Sequence, residues 1–241
     1  MIHSRYIKEI KKLGIKIDHD MAFDGKSKGN KHLFRVVRLA KYLAKKLQAD
    51  LDIVECGAWL HDTALPSGND YNYKKNKKIV MKLLTFIDIS KKEKDFIAEC
   101  VASHEGTEKP KTLEAKIVHD ADVLEKSGIL GIIRHTWKLT NSGKIKPEKI
   151  LDKDIQTIIN HIKWRGNKLE TPLARKIKKY LTIKIAKSKV KEIVEKTSKM
   201  ASRGIITEKI VIVILKFLNS QQSQLLKEQI SLGFLKRFDN L

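Results

Sequence analysis

No proline falls before Pro66 or after Pro172, and the chain holds only four. That placement constrains the fold more than any other feature. A proline inside a helix removes a backbone donor and clashes with the preceding turn, so its absence leaves both ends of the chain open to long helices. The apolar residues use that freedom. From 33 to 47, Leu33, Val36, Val37, Ala40, Leu43, Ala44 and Leu47 recur in steps of three, one and three, which makes one face of a helix. Leu51 to Leu60 is denser and predicts a largely buried helix carrying Trp59, and Ile79 to Phe86 predicts another. Phe96, Ile97, Cys100 and Val101 repeat the stripe, with Ser90 as a plausible N-cap ahead of an imperfect capping box. Thr112 and Glu114 open a run over Leu113 to Leu124, which Ile129 to Trp137 continues.

The breaks are Asp24 to Asn30, Pro66 to Asp70, Gly106 to Pro110 and Asn141 to Gly143, with Pro147 expected to start the next helix. Strand-like alternation is almost absent. The exception is Ile205 to Leu218, whose β-branched run cannot be told from a buried helix by periodicity. The expected fold class is all-α: a helical domain over residues 1–189 and a helical C-terminal extension over 190–241.

Composition narrows the function. Fifty Lys and Arg against 28 Asp and Glu give a net charge of +22, yet 41% of residues are hydrophobic, too many for a disordered polyelectrolyte. The longest purely apolar run, Ile210 to Leu215, is far below the roughly 18 residues of a bilayer span. The first residues are interspersed with charge and offer no secretory h-region. Cys56 and Cys100 lie in apolar segments without metal-ligand spacing and read as small buried hydrophobes in a reducing compartment. The expectation is a soluble cytoplasmic protein with no membrane association.

Chemistry concentrates on three of the eight histidines. His32 starts the 33–47 stripe, His61 ends the apolar 51–60 helix, and His104 is the next helical step after Phe96–Val101. Any one alone reads as a core histidine. His3 and His19 lie in polar surroundings and His119, His135 and His161 on expected helices without an obvious partner, so these five take a bland reading. Asp62, directly after His61, changes the balance, because a carboxylate closing an apolar helix is costly to bury without a cation. Neutral imidazoles do not supply that charge, whereas a divalent ion does, and imidazole with carboxylate suits a borderline or hard metal. A further acid is offered by either Asp120 or Asp122. Two residues apart on a helix they point about 200° from one another. Periodicity leaves the choice open and leans toward Asp120 through the Leu113, Ile117, Ala121, Leu124 stripe.

These residues carry a resemblance. His32, then His61-Asp62, then Ala121-Asp122-Val123-Leu124 is similar to the H…HD…D signature of the HD superfamily of metal-dependent phosphohydrolases. HLFRVVRLAKYLA, ECGAWLHDTALP and TLEAKIVHDADVLEKSGILGIIRH resemble successive motif helices of its small stand-alone branch, and LETPLARKIKKYL a late helix. The likeness spans about residues 20 to 185. It implies an HD-domain helical bundle and metal ligands His32, His61, Asp62 and Asp122, with Asp120 supporting from behind. The ion implied is divalent: Mn, Mg, Fe, Co or Ni. It also implies hydrolysis of a nucleotide or related small phosphate by a metal-activated water. Asp62 is then the expected proton acceptor, and His104 a catalytic group, phosphate contact or ligand of a second metal. Lys126, Arg35 and Arg134 are the expected phosphate contacts. Thr63-Ala64-Leu65-Pro66 departs from the family's usual Ile-Gly after the His-Asp pair, which bears on substrate choice.

Between Arg175 and Lys199 stand ten Lys or Arg and two Glu. This basic segment supports a second expectation, nucleic-acid binding (or an RNA or cyclic-nucleotide phosphodiesterase) on the same scaffold. Aromatics at 6% speak against a base-stacking platform. The apolar C-terminal helices allow a homo-oligomer.

Overall fold

A computed structural model describes residues 2–182 and 184–239. Among them there is no strand, and the elements are α-helices with two short 3-10 segments, Leu65–Ser67 and Gly233–Phe238. The all-α expectation holds. No helix is long and apolar enough to cross a membrane.

Contacts divide the chain into two units. The first runs to Asp122 and takes in Leu169–Ala174; the second comprises Val123–Lys168 and the chain from Arg175. The expected boundary at 189/190 lies in the second unit, inside the helix Lys187–Ala201.

The first unit is built from α1 (Ser4–Asp20), α2 (His32–Leu47), α3 (Leu51–Leu60), α4 (Tyr73–Leu84), α5 (Lys91–Ser103) and most of α6 (Leu113–Glu125). The central element is α3, which packs against α1, α2 and α5, while α4 packs on α5. Two glycines make these approaches close. A Cβ at Gly14 of α1 would stand 2.1 Å from the Trp59 carbonyl oxygen, and one at Gly57 of α3 2.6 Å from Cys100 Cβ. Both cysteines are fully buried and unpaired as thiols, and burial raises the pKa of each. The 33–44 stripe of α2 is buried throughout.

Capping fixes where the site helices begin. Asp50 accepts from Asp52 N and Ile53 N at the start of α3. At α5 the Ser90–Glu93 box is complete in both directions, correcting the reading of it as imperfect. The helix expected over 79–86 begins earlier, at Tyr73, where Asn72 caps it, and stops at Leu84, leaving Phe86 85% exposed.

In the second unit α7 (Gly128–Asn141) packs against α8 (Asp152–Gly166), α10 (Lys187–Ala201), α11 (Thr207–Leu215) and α12 (Ser220–Ser231). The remaining helix, α9 (Pro172–Leu181), begins in the returned segment of the first unit. Trp137 Nε1 donates to Ile205 O, Thr140 Oγ1 to Ser198 Oγ, and Gln229 Nε2 to Ser127 O. The ambiguous 205–218 segment is helical. α6 and α7 are separate rather than continuous, because Gly128, the first residue of α7, adopts φ +58°, a region glycine enters without strain. Pro147 sits in a turn and α8 starts at Asp152, where Asp154 supplies the capping carboxylate to Leu151 N.

Candidate metal centre

His61 is the residue after the last turn of α3. Its Nδ1 donates to Ala58 O at 2.8 Å, which fixes the tautomer and turns Nε2 inward. His32, at the first position of α2, brings its Nε2 to 3.2 Å from His61 Nε2. Asp122, on α6, places Oδ1 3.4 Å from His32 Nε2 and 3.7 Å from His61 Nε2. Asp62 Oδ2 lies 3.3 Å and 3.2 Å from the same two nitrogens. Ligand atoms of His32, His61 and Asp122 all fall within 4.8 Å of one another. His61 and Asp122 are fully buried, and Asp62 is 14% exposed at the edge.

The donor set fits a cation. A divalent ion with ligands about 2.1 Å away keeps neighbouring ligand atoms about 3.0–3.4 Å apart. The separations at His32, His61 and Asp62 match that spacing. Neutral imidazoles whose lone pairs converge with carboxylate oxygens in a buried space repel one another unless a positive charge lies between.

A second group adjoins the first. Atoms of Asp62, Asp70, His104 and Glu105 also lie within 4.8 Å of one another. His104 follows the last turn of α5, and its Nδ1 donates to Val101 O at 2.7 Å. Its Nε2 is 3.6 Å from Asp62 Oδ1, 3.7 Å from Asp70 Oδ1 and 3.8 Å from Glu105 Oε1. His119 of α6 donates from Nδ1 to the carbonyl of His104 at 2.6 Å, so a histidine given the bland reading helps to position the site.

Asp120 points elsewhere. It accepts from Glu170 N, Thr171 N and Thr171 Oγ1 at 2.8, 2.8 and 2.6 Å. Burial pushes its carboxyl up in pKa, against these hydrogen bonds, which act in the opposite sense. The helical lean toward Asp120 is therefore not followed: both acids are buried, but Asp122 faces the histidines and Asp120 ties down the returned segment 170–171.

His32, His61, Asp62, Asp122 and His104 come together, and Arg35 is buried on α2 in the same unit. Lys126 and Arg134 belong to the second unit, where Arg134 Nε is 3.7 Å from Glu125 Oε2. Asp70 and Glu105 were not singled out in the sequence. Glu105 carried a signal, since His104-Glu105 repeats the His-acid dyad of His61-Asp62 at a helix end; Asp70 carried none beyond its place in a loop.

Part of this chain is similar to known proteins. Residues 30–127 match the HD domain. The matched segment is less than half of the chain and contains all the residues of both groups. A stretch of 112 residues is 31% identical to YpgQ of Bacillus subtilis, covering 43% of this chain and 53% of YpgQ, so the match spans about half the length of that relative. The fold is similar to the crystal structure of YpgQ (TM-score 0.55, 22% identity, 73% of this chain and 88% of that one). It is also similar to a Lactobacillus plantarum protein (TM-score 0.57, 24% identity, 84% and 100%) and to Lin1889 of Listeria innocua (TM-score 0.52, 21% identity, 78% and 93%).

Proposed function

We propose that this protein is a metal-dependent phosphohydrolase that cleaves a phosphoester or phosphoanhydride of a nucleotide or related small phosphate. The convergence of His32, His61 and Asp122, with Asp62 at their edge, carries this reading. Two imidazole nitrogens and two carboxylates suit Mn, Mg, Fe, Co or Ni. Such a cation, when bound, makes water acidic enough to ionise near neutral pH and polarises a phosphoryl oxygen.

The chain's own residues do the remaining work. Main-chain carbonyls hold His61 and His104 with Nε2 inward, so no reorientation is needed during turnover. Asp62 is the member of the first group that solvent reaches, and it accepts the proton of the attacking water. The water oxygen bonds to phosphorus as the bond to the leaving oxygen breaks. Arg35, buried on α2 of the same unit, is proposed to meet a substrate phosphate. A nucleotide is favoured over other phosphates because YpgQ, at 23% identity, has been crystallised in complex with ADP.

The test is a panel of nucleoside mono-, di- and triphosphates and model diesters with Mn²⁺, Mg²⁺, Co²⁺ and Ni²⁺, run on wild type, His61→Ala and Asp62→Ala. Metal-dependent phosphate or pyrophosphate release by wild type alone is expected. Full activity of either variant would refute the reading.

A further inference from the structure

We propose that the second unit holds a binding site for a small anionic amphiphile, a single aliphatic chain that ends in a carboxylate or a phosphate. All the residues that form it belong to that unit, and the proposal does not rest on the metal centre.

The site consists of two concavities that meet. One, of about 720 Å³, has an apolar wall of Ile132 from α7, Ile159 and Ile162 from α8, and Ile185. The other, of about 750 Å³, is formed by the end of α8 with Arg175, Lys178 and Lys179 of α9. Lys178 and Thr182 line both. Each volume is that of a small-molecule site.

The apolar half calls for a hydrocarbon. Ile159, Ile162 and Ile185 are only half-buried although they gather around one hollow, and water against such a wall is unfavourable in proportion to the area it wets. Single exposed apolar residues are ordinary on a protein surface, whereas several around a concavity with polar groups at one end mark a binding site. No aromatic ring is among the described residues lining either half, which fits an aliphatic occupant better than a stacked base.

The basic half sets the sign of the head group. Arg175, Lys178 and Lys179 stand at i, i+3 and i+4 on α9 and therefore share one face of it. Lys163 adds positive charge beside the isoleucines, and no Asp or Glu is among the described residues lining either half. The basic stretch from Arg175 thus supplies the cations of a concave site.

Lys178 joins the two halves. A Cβ at Gly166 would stand 2.5 Å from its Cε and its Nζ, so a glycine at the end of α8 makes room for this ammonium. The side chain is half-buried, and desolvation lowers its pKa. A cation partly withdrawn from water gains when an anion replaces the lost hydration. A bare anion engages the basic half alone and a neutral chain the apolar half alone. An anionic amphiphile engages both.

The test is a calorimetric titration of the full chain with decanoate, decyl phosphate, decanol and inorganic phosphate, the amphiphiles kept below their micelle concentrations. Saturable binding of one equivalent of decanoate or decyl phosphate is expected, the tighter of the two identifying the head group. Decanol and inorganic phosphate should bind at least about tenfold more weakly. Lys178→Met, which keeps the stem and drops the charge, should weaken the anionic amphiphiles about tenfold and leave decanol unchanged. Ile162→Gln should weaken all three chains. The proposal is overturned by no saturable binding to wild type, by binding that both variants leave intact, or by inorganic phosphate binding as tightly as the amphiphiles. The order of the four ligands on wild type decides the matter even if a variant fails to fold.

Discussion

The first unit buries its site histidines, the second half-buries a stacked pair, and the two settings are opposite in charge. In the first unit His32, His61 and His104 each bring Nε2 to 3.2–3.8 Å from carboxylate oxygens. In the second, His135 and His161 lie flat on one another, ring centroids 3.9 Å apart and planes 3° from parallel. Burial, then His161, then Lys138, Lys126 and Lys144 push the His135 pKa down to about 2. One environment is anionic and suits a cation; in the other, desolvation first and neighbouring positive charge second keep the His135 imidazole neutral. Burial of a histidine is therefore no guide to its role. The sign of the charge around the ring is.

The sharpest way to break this contrast is to remove one ring from each setting. His61→Ala is expected to lose bound metal and to lower turnover by more than about a hundredfold, the loss that follows merely from disturbing a ligand's support. His135→Phe should leave the bound metal unchanged. Equal metal content in wild type and His61→Ala would erase the distinction.

Next in size is Asp120→Ala, which separates holding the fold from holding the ion. It strips three hydrogen bonds from residues 170–171 and leaves buried donors unsatisfied, at a cost of about 3 kcal/mol. For a chain of this size that lowers the melting temperature by roughly 6–12 °C. The metal load should survive in the folded fraction. Loss of metal with no change in melting would reverse the roles given to Asp120 and Asp122.

The cationic setting predicts a pH response. Because the folded pKa of His135 lies below the ordinary histidine value, the unfolded chain takes up a proton there first as pH falls. Stability from this residue is present above about pH 6.5 and is lost as pH drops toward 2, by up to about 1.4 kcal/mol per pH unit. His135→Phe should blunt that loss. A melting-temperature difference from wild type that is the same at pH 7 and pH 5 would count against it.

Glu228 provides a smaller effect of the other kind. Its carboxylate accepts from Arg237, Tyr180 and Gln224, and chiefly through Arg237 its pKa falls to about 2. A depressed acid stabilises above its unfolded pKa and loses that contribution as pH falls through the folded one. Glu228→Gln should thus melt a few degrees lower than wild type at pH 7, with the gap closing between about pH 4.5 and 2. The smallest effect belongs to the exposed Lys187–Asp152 pair, where Lys187→Ala should give no resolvable change.

Much of the fold was legible in the chain. The stripes of α2, α3, α5 and α6 locate those helices because a 3.6-residue period is imprinted directly on side-chain choice. Boundaries were less legible. Pro147 is compatible with a helix start yet sits in a turn, since Asp152 and Asp154 supply the better first turn of α8. Of the site, His32, His61, Asp62, His104 and Asp122 were named from order and resemblance. Asp70 was not, because a loop acid carries no periodic mark, and Glu105 was not, although its place directly after His104 repeats the His61-Asp62 pair.

Sequence alone determined which segments coil, where Ser90 starts one of them, and that an acid follows a histidine at the end of an apolar helix. These are local matters, settled within a turn or two by hydrogen-bond geometry and side-chain pattern. Tertiary structure alone decided that Asp122 rather than Asp120 meets the histidines, that Asp62 divides its oxygens between two groups, and that a loop at Asp70 closes on the end of α5. Those outcomes depend on how helices distant in the chain rotate and press together, and Gly14 against the Trp59 backbone and Gly57 against the Cys100 side chain set that packing by allowing close approach.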